Sequence, residues 1–251
     1  AIGTPVARLA LGAMVMGEVV LALLVAISAS ATAVSRERED GSLDILLTTP
    51  IQPGPYLMGK LRGLIVVLWP AIATPSLTLM LGACYVMAGG LGAASVSLSR
   101  PIGTAVMDVP MVLPAAAFAF LPAFTGFMAF AVMTGLQWSV GSRGVIGSTM
   151  GALGVLVGVV ATLGLCGAAS MPEVPVLGPI VACLSPLNLA RAAVSPETAL
   201  PASLREPGGM ALSFGMGALA ACGGYAMLTY AMLASIRRSF MMTVRRLAGL
   251  K

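Results

Sequence analysis

Charge is what this chain has least of: 9% of its 251 residues are Asp, Glu, Lys or Arg. A soluble domain of this length needs about 25% to cover its surface, so water is not the solvent around most of this one. Histidine is absent, and the four cysteines (Cys84, Cys166, Cys183 and Cys222) contain no CxxC pair. The usual ingredients of a metal site or a disulfide framework are therefore missing. Lysine occurs only at Lys60 and Lys251, and neither completes a G-x-x-x-x-G-K-[ST] phosphate loop. ATP is not bound in the usual way by this polypeptide, so energy for any work must come from another chain or from an ion gradient. The short alternating segments of a membrane barrel are missing too. What is present instead is 58% hydrophobic residues in long unbroken runs, with a mean hydropathy of +0.99. In hydrocarbon such runs must form helices, which satisfy their own backbone polar groups.

Spanning the hydrocarbon takes roughly 20 apolar residues as a helix. Five segments qualify, at about 9–34, 61–88, 111–138, 145–169 and 210–235. Between them lie a charged stretch (35–60), a Gly/Ser-rich loop (89–110), a short link (139–144) and a Pro-rich stretch (170–209), with a charged tail at 236–251. The whole chain, 1–251, reads as a single all-α transmembrane domain.

The net charge of +5 does not call for a nucleic-acid partner, because the cations sit where membrane topology needs them. If 35–60 is cytoplasmic, the inside set is Arg36, Arg38, Lys60, Arg62, Arg143, Arg237, Arg238, Arg245, Arg246 and Lys251. The outside set is Arg8, Arg100, Arg191 and Arg205. The acids outside the helices divide evenly, so the bias is in the cations alone. The C-terminus is expected in the cytoplasm and the start of the chain outside. A signal peptide fits poorly, since the first run is too long and Glu18 interrupts it. The expectation is that at least one helix precedes Ala1.

Small residues recur at Gly147/Gly151 and Gly154/Gly158, and at Gly215, Gly217, Gly223 and Gly224, a spacing that lets helix backbones approach closely. Pro70, Pro75, Pro114 and Pro122 fall in predicted spans and should perturb the helices locally; helix shape alone accounts for them better than a flexible gate does. Ser28, Ser30, Thr32, Thr134, Gln137, Ser148 and Thr149 are the polar side chains best suited to line a path.

Residues 35–60, SREREDGSLDILLTTPIQPGPYLMGK, carry the most information. Arg36, Glu37, Arg38, Glu39 and Asp40 end the first span in a burst of charge, and Gly41 suits a helix break. Ser42 can cap a new helix and Asp44 complements its dipole. Leu43, Leu46 and Leu47 share one face of that helix. Pro50, Pro53 and Pro55 close it before Lys60 and Arg62. Physically this is a short amphipathic helix at the membrane face, either a tether or a docking element.

The stretch resembles the signature of type-2 ABC transporter permeases, E-R-E-x-G-[TS]-L-[DE]-x-L-L-x-T-P followed by G-K. It is matched here by Glu37, Arg38, Glu39, Gly41, Ser42, Leu43, Asp44, Leu46, Leu47, Thr49 and Pro50, then Gly59 and Lys60. Ser185-Pro186-Leu187 resembles an S-P-[FL] element late in the last external loop of that family. The resemblance implies the membrane subunit of an ATP-driven exporter in a bacterial plasma or inner membrane, without catalysis of its own. It also implies a second permease copy or homologue, and a separate nucleotide-binding subunit that carries ATP and Mg. The helix after the charged burst would be the coupling helix, with Arg36 added to its contact set. Residues 170–209 would form short helices re-entering the outer leaflet. The family has six spans, and this chain begins where the second would.

Glu18 is the one acid deep in a predicted span, a candidate substrate or proton contact or else an acid near the outer interface. Two other readings compete: a gradient-driven secondary transporter, which would show repeated halves and several buried ionisable groups, and a non-transporting membrane scaffold. Lipids, amphiphiles, peptides and drugs suit the apolar spans about equally as substrates.

Overall fold

Backbone amides deprived of water close their bonds within helices, and the computed structural model is built that way. It describes residues 4–41, 53–92, 97–102, 105–142, 144–173, 177–196 and 207–247. Helix α1 (Thr4–Thr32) leads through a two-residue turn into α2 (Ser35–Glu39). Helix α3 covers Pro53–Met87, followed by a 3-10 turn at Gly89–Gly92. Strands β1 (Ser97–Ile102) and β2 (Ala105–Pro110) pair antiparallel, with Ser97 opposite Pro110 and Ile102 opposite Ala105. Helices α4 (Pro114–Gly141), α5 (Val145–Glu173), α6 (Leu177–Ala182), α7 (Pro186–Val194) and α8 (Pro207–Leu247) complete the order.

Five helices are long and apolar enough to cross a membrane: Pro5–Glu37, Gly54–Met87, Pro114–Gly141, Val145–Ser170 and Ala211–Arg238. All five expected spans are present. The second starts earlier than expected, because Pro53 and Pro55 open α3 rather than merely closing what precedes it. Proline is tolerated in a first turn, where its missing N–H has no partner to lose. Pro114 likewise opens α4, while Pro70, Pro75 and Pro122 lie inside helices that run on past them. The stretch expected as a loop at 89–110 contains the hairpin, a small addition to a fold that is otherwise helical.

Helix α4 is the most buried of the five: 72% of its most apolar window is buried, against 17% for α5 and for α8. It carries no charge and is apolar on every side, as an interior helix must be. The other helices turn large apolar groups outward, among them Val66, Trp69, Leu165, Leu219 and Tyr230. Leaving one such side chain in water instead of burying it costs about 1.5–3 kcal/mol. Faces of this kind are stable only against lipid or protein.

The chain forms two compact units, to which each long helix contributes. One comprises Ala1–Leu21, Ile72–Phe127 and Val160–Gly223, the other Ala22–Ala71, Met128–Val159 and Gly224–Lys251. The first unit buries Val15, Leu79, Phe120, Phe124 and Phe214, and the Phe120 and Phe124 rings stack at 5.0 Å. The second has a core of Val34, Leu57, Met133, Leu136, Val140 and Ile236.

Candidate functional site

In the second unit the charged burst after α1 is folded into the protein rather than left in solvent. Helix α2 starts with amide N–H groups that have no partner inside the helix. Val34 N and Ser35 N both donate to Ser139 Oγ of α4, each at 2.9 Å. The Ser35 hydroxyl donates back to Ala31 O at 2.8 Å. Ser148 Oγ of α5 lies 3.1 Å from Ser35 Oγ and 2.8 Å from Val145 O, sharing one proton between them. All three serines are buried. A buried hydroxyl costs free energy unless it is hydrogen-bonded, so this chain of serines fixes one arrangement of α1, α2, α4 and α5.

The two glutamates of the signature then act in different directions. One carboxylate oxygen of Glu37 accepts from the Tyr56 hydroxyl at 2.5 Å, and the other is ion-paired with Lys60. Both acceptor and donor side chains are 28% exposed, and the Lys60 ammonium also sits over the Tyr56 ring at 5.8 Å. Glu37 thereby ties α2 to the first turns of α3. Glu39 Oε1 accepts from Val145 N at 2.8 Å. Gly144 holds the position before α5, with its carbonyl accepting from Ser148 N, but has no side chain to cap the helix. A carboxylate from a distant part of the chain fills that role and favours the helix dipole. Asp40 N donates to Arg36 O, and Gly41 adopts a φ of 71°, the left-handed conformation expected of a helix-ending glycine.

Of the remaining signature residues, Arg36 and Gly59 are exposed. Ser42, Leu43, Asp44, Leu46, Leu47, Thr49 and Pro50 lie outside the described residues, as does the Arg38 side chain. Gly41 and Tyr56, on either side of the segment 42–52, belong to one compact unit, and Leu57 anchors the start of α3 in its core.

The polar residues expected to line a path divide. Ser30, Thr134 and Ser148 are buried in the packing, with Ser30 donating to Ala26 O at 2.6 Å and Thr134 to Phe130 O at 3.0 Å. Thr32 and Thr149 also bond back to their own helices, whereas Ser28 and Gln137 are exposed. The missed participant is Ser139. Its only sequence signal is a hydroxyl near the end of an uncharged helix.

In the first unit Glu18 Oε1 accepts from Thr78 Oγ1 at 3.1 Å, and Glu18 Oε2 is buried with no hydrogen-bond partner among the described residues. Residues 177–194 form the short helices α6 and α7. Ser185 caps α7, its side chain accepting from Asn188 N, and Pro186 holds the first helical position. The Ser-Pro-Leu element is thus a helix start. Asn188 Nδ2 donates to Gly164 O at 2.8 Å, an approach that Gly167, with no side chain, leaves open. Cys183 is buried beside Gly217, and burial pushes its thiol up to about 12. No group of three His, Cys, Asp or Glu side chains able to hold a metal occurs among the described residues.

No curated protein and no solved structure matches the chain. A family model described as "ABC-2 family transporter protein" matches residues 8–238, nearly the whole length. It takes in all five membrane-length helices, the serine chain and the glutamate contacts just described. A multi-pass membrane protein matched over that extent has its place among the permease subunits of ABC transporters: the chain belongs to the ABC-2 family of transporter proteins.

Proposed function

We propose that this chain is the membrane subunit of an ATP-driven exporter and that residues 42–52 receive force from a separate nucleotide-binding subunit. ATP and Mg are held by that partner, and the permease works with a second copy or a homologue. The observation that carries the reading is the pair of glutamate contacts: Glu37 to Tyr56 and Lys60, and Glu39 to Val145 N.

The argument is mechanical. A displacement applied to a loop moves a transmembrane helix only if the loop's roots are stiffly joined to it. Here one root is joined to α3 through a charge-assisted pair, and hydrogen bonds to charged groups contribute about 1.5–3 kcal/mol each. The same root is joined to α5 through the Glu39 cap and to α4 through Ser139. A push on 42–52 is then shared among several helices, which tilt as rigid bodies instead of bending one at a time. Leu43, Leu46 and Leu47 are assigned to the partner-facing or membrane-facing side, with Ser42 and Asp44 starting the coupling helix and Thr49 and Pro50 ending it. Glu18, with its open acceptor, is assigned to the substrate or proton path.

The test uses the permease with the P-loop ATPase that copurifies from native membranes. In proteoliposomes, L46D/L47D should abolish permease-dependent stimulation of ATP hydrolysis while yield and thermal midpoint stay unchanged. Undiminished stimulation would overturn the role of the segment. Transport that persists without ATP and collapses with the proton gradient would overturn the exporter reading in favour of a gradient-driven carrier.

A further inference from the structure

A cavity of about 410 Å³ in the first unit lies between α1 and α7, within the usual range of ligand pockets. Its polar end is formed by Arg8, Arg191 and Ser195, and its wall along α1 by Leu9, Ala13 and Met16. Arg8 lies in the first turn of the span Pro5–Glu37 yet is 5% exposed, and its Nε donates to Val194 O at the end of α7. Arg191 is exposed in the last turn of α7, and its side chain has no ion-pair or hydrogen-bond partner among the described residues. The described lining contains two guanidinium groups and no carboxylate. Gly12 admits α7 at close range, for a Cβ there would stand 3.3 Å from Val194 Cγ1.

The chemistry has a direction. Guanidinium forks match phosphate oxygens in pairs, and a hydroxyl beside them adds a further donor. Leu9, Ala13 and Met16 follow the i, i+4, i+7 spacing of one helix face, an apolar track about 10 Å long at 1.5 Å per residue. The start of a span is also where hydrocarbon gives way to headgroups. A bare inorganic anion would use only the arginine end, and a neutral amphiphile only the track.

We propose that this cavity binds an amphiphile whose head is an anionic phosphate monoester, the head on Arg8 and Arg191 and the first part of its acyl chain along Leu9, Ala13 and Met16. The inference is independent of the coupling role given to residues 42–52.

The test is native mass spectrometry of the full chain in neutral detergent, with phosphatidic acid and phosphatidylcholine offered at equal concentration. The wild type should retain phosphatidic acid at least about tenfold better, the factor that one charge-assisted contact supplies. R191Q should bring the two lipids to within about twofold, R191K, which keeps the charge without the fork, should restore only part of the preference, and A13W should lower retention with the arginines intact. Equal retention of the two lipids by the wild type, or an unchanged preference in R191Q, overturns the proposal. So does full displacement of the lipid by millimolar inorganic phosphate, which would make the cavity a site for a free anion. Thermal midpoints matching the wild type show that the variants are folded.

Discussion

A single hydroxyl oxygen, Ser139 Oγ, accepts from the two amides that begin α2. Nothing else in the described network replaces it, and Ser139 is fully buried. Removing one partner of a buried hydrogen bond costs about 1–3 kcal/mol, because the donor left behind has lost water as well. S139A should therefore lower the thermal midpoint in detergent by several degrees, and S139T, which keeps the oxygen, should recover part of it. A variant as stable as the wild type would mean that water reaches these amides. Sequence gave the residue-scale picture unevenly. Gly41 was legible as a helix break because its conformation is a local property, and the glutamates stood out because charge beside a membrane span is conspicuous. Ser139 was not legible. A serine in a helix can satisfy itself on the carbonyl four residues back, as Ser30 does with Ala26, and only a donor more than a hundred residues away gives Ser139 a different task.

At the scale of elements, the spans were readable because length and apolarity are summed over many residues. Their boundaries were not, since the start of α3 depends on Tyr56, Leu57 and Lys60 finding partners on other helices. The hairpin at 97–110 was hidden by a Gly/Ser-rich composition without a clear alternation. The small-residue spacing of α5 was visible, but sequence could not say which glycines pack. A Cβ on Gly151 would run into the Trp138 ring of α4, whereas one on Gly154 would meet open space. G151L should thus force the two helices apart, at about 1–3 kcal/mol or more for overpacking, while G154L should leave the monomer's stability within about 0.5 kcal/mol, as surface changes usually do. Thermal unfolding of the two variants in detergent separates them. Equal losses would mean that α5 is rotated about its axis from the orientation described here.

For the molecule as a whole, the decisive quantity is the distribution of its cations, ten against four across the alternating connections. Charges of that kind act during insertion, where an excess of Lys and Arg in the short connections sets which side is retained inside. The surplus of six on one side is the asymmetry that the positive-inside rule reads, and from it comes the expectation that both 35–60 and 236–251 face the cytoplasm. The expectation is open to a direct measurement with membrane-impermeant maleimide on right-side-out vesicles. Cys84, Cys166 and Cys222 are first replaced by serine, and Cys183 is kept. Its thiol is buried, and because burial disfavours the charged form its pKa is pushed up to about 12, so at pH 7.5 it holds almost no reactive thiolate. Cysteines introduced by S95C and S203C should then be labelled from outside, and those from Q52C and A248C only after the vesicles are opened. The last pair carries the weight. Labelling of Q52C from outside would put residues 42–52 beyond the reach of any cytoplasmic ATPase, whatever the stiffness of the contacts at their roots.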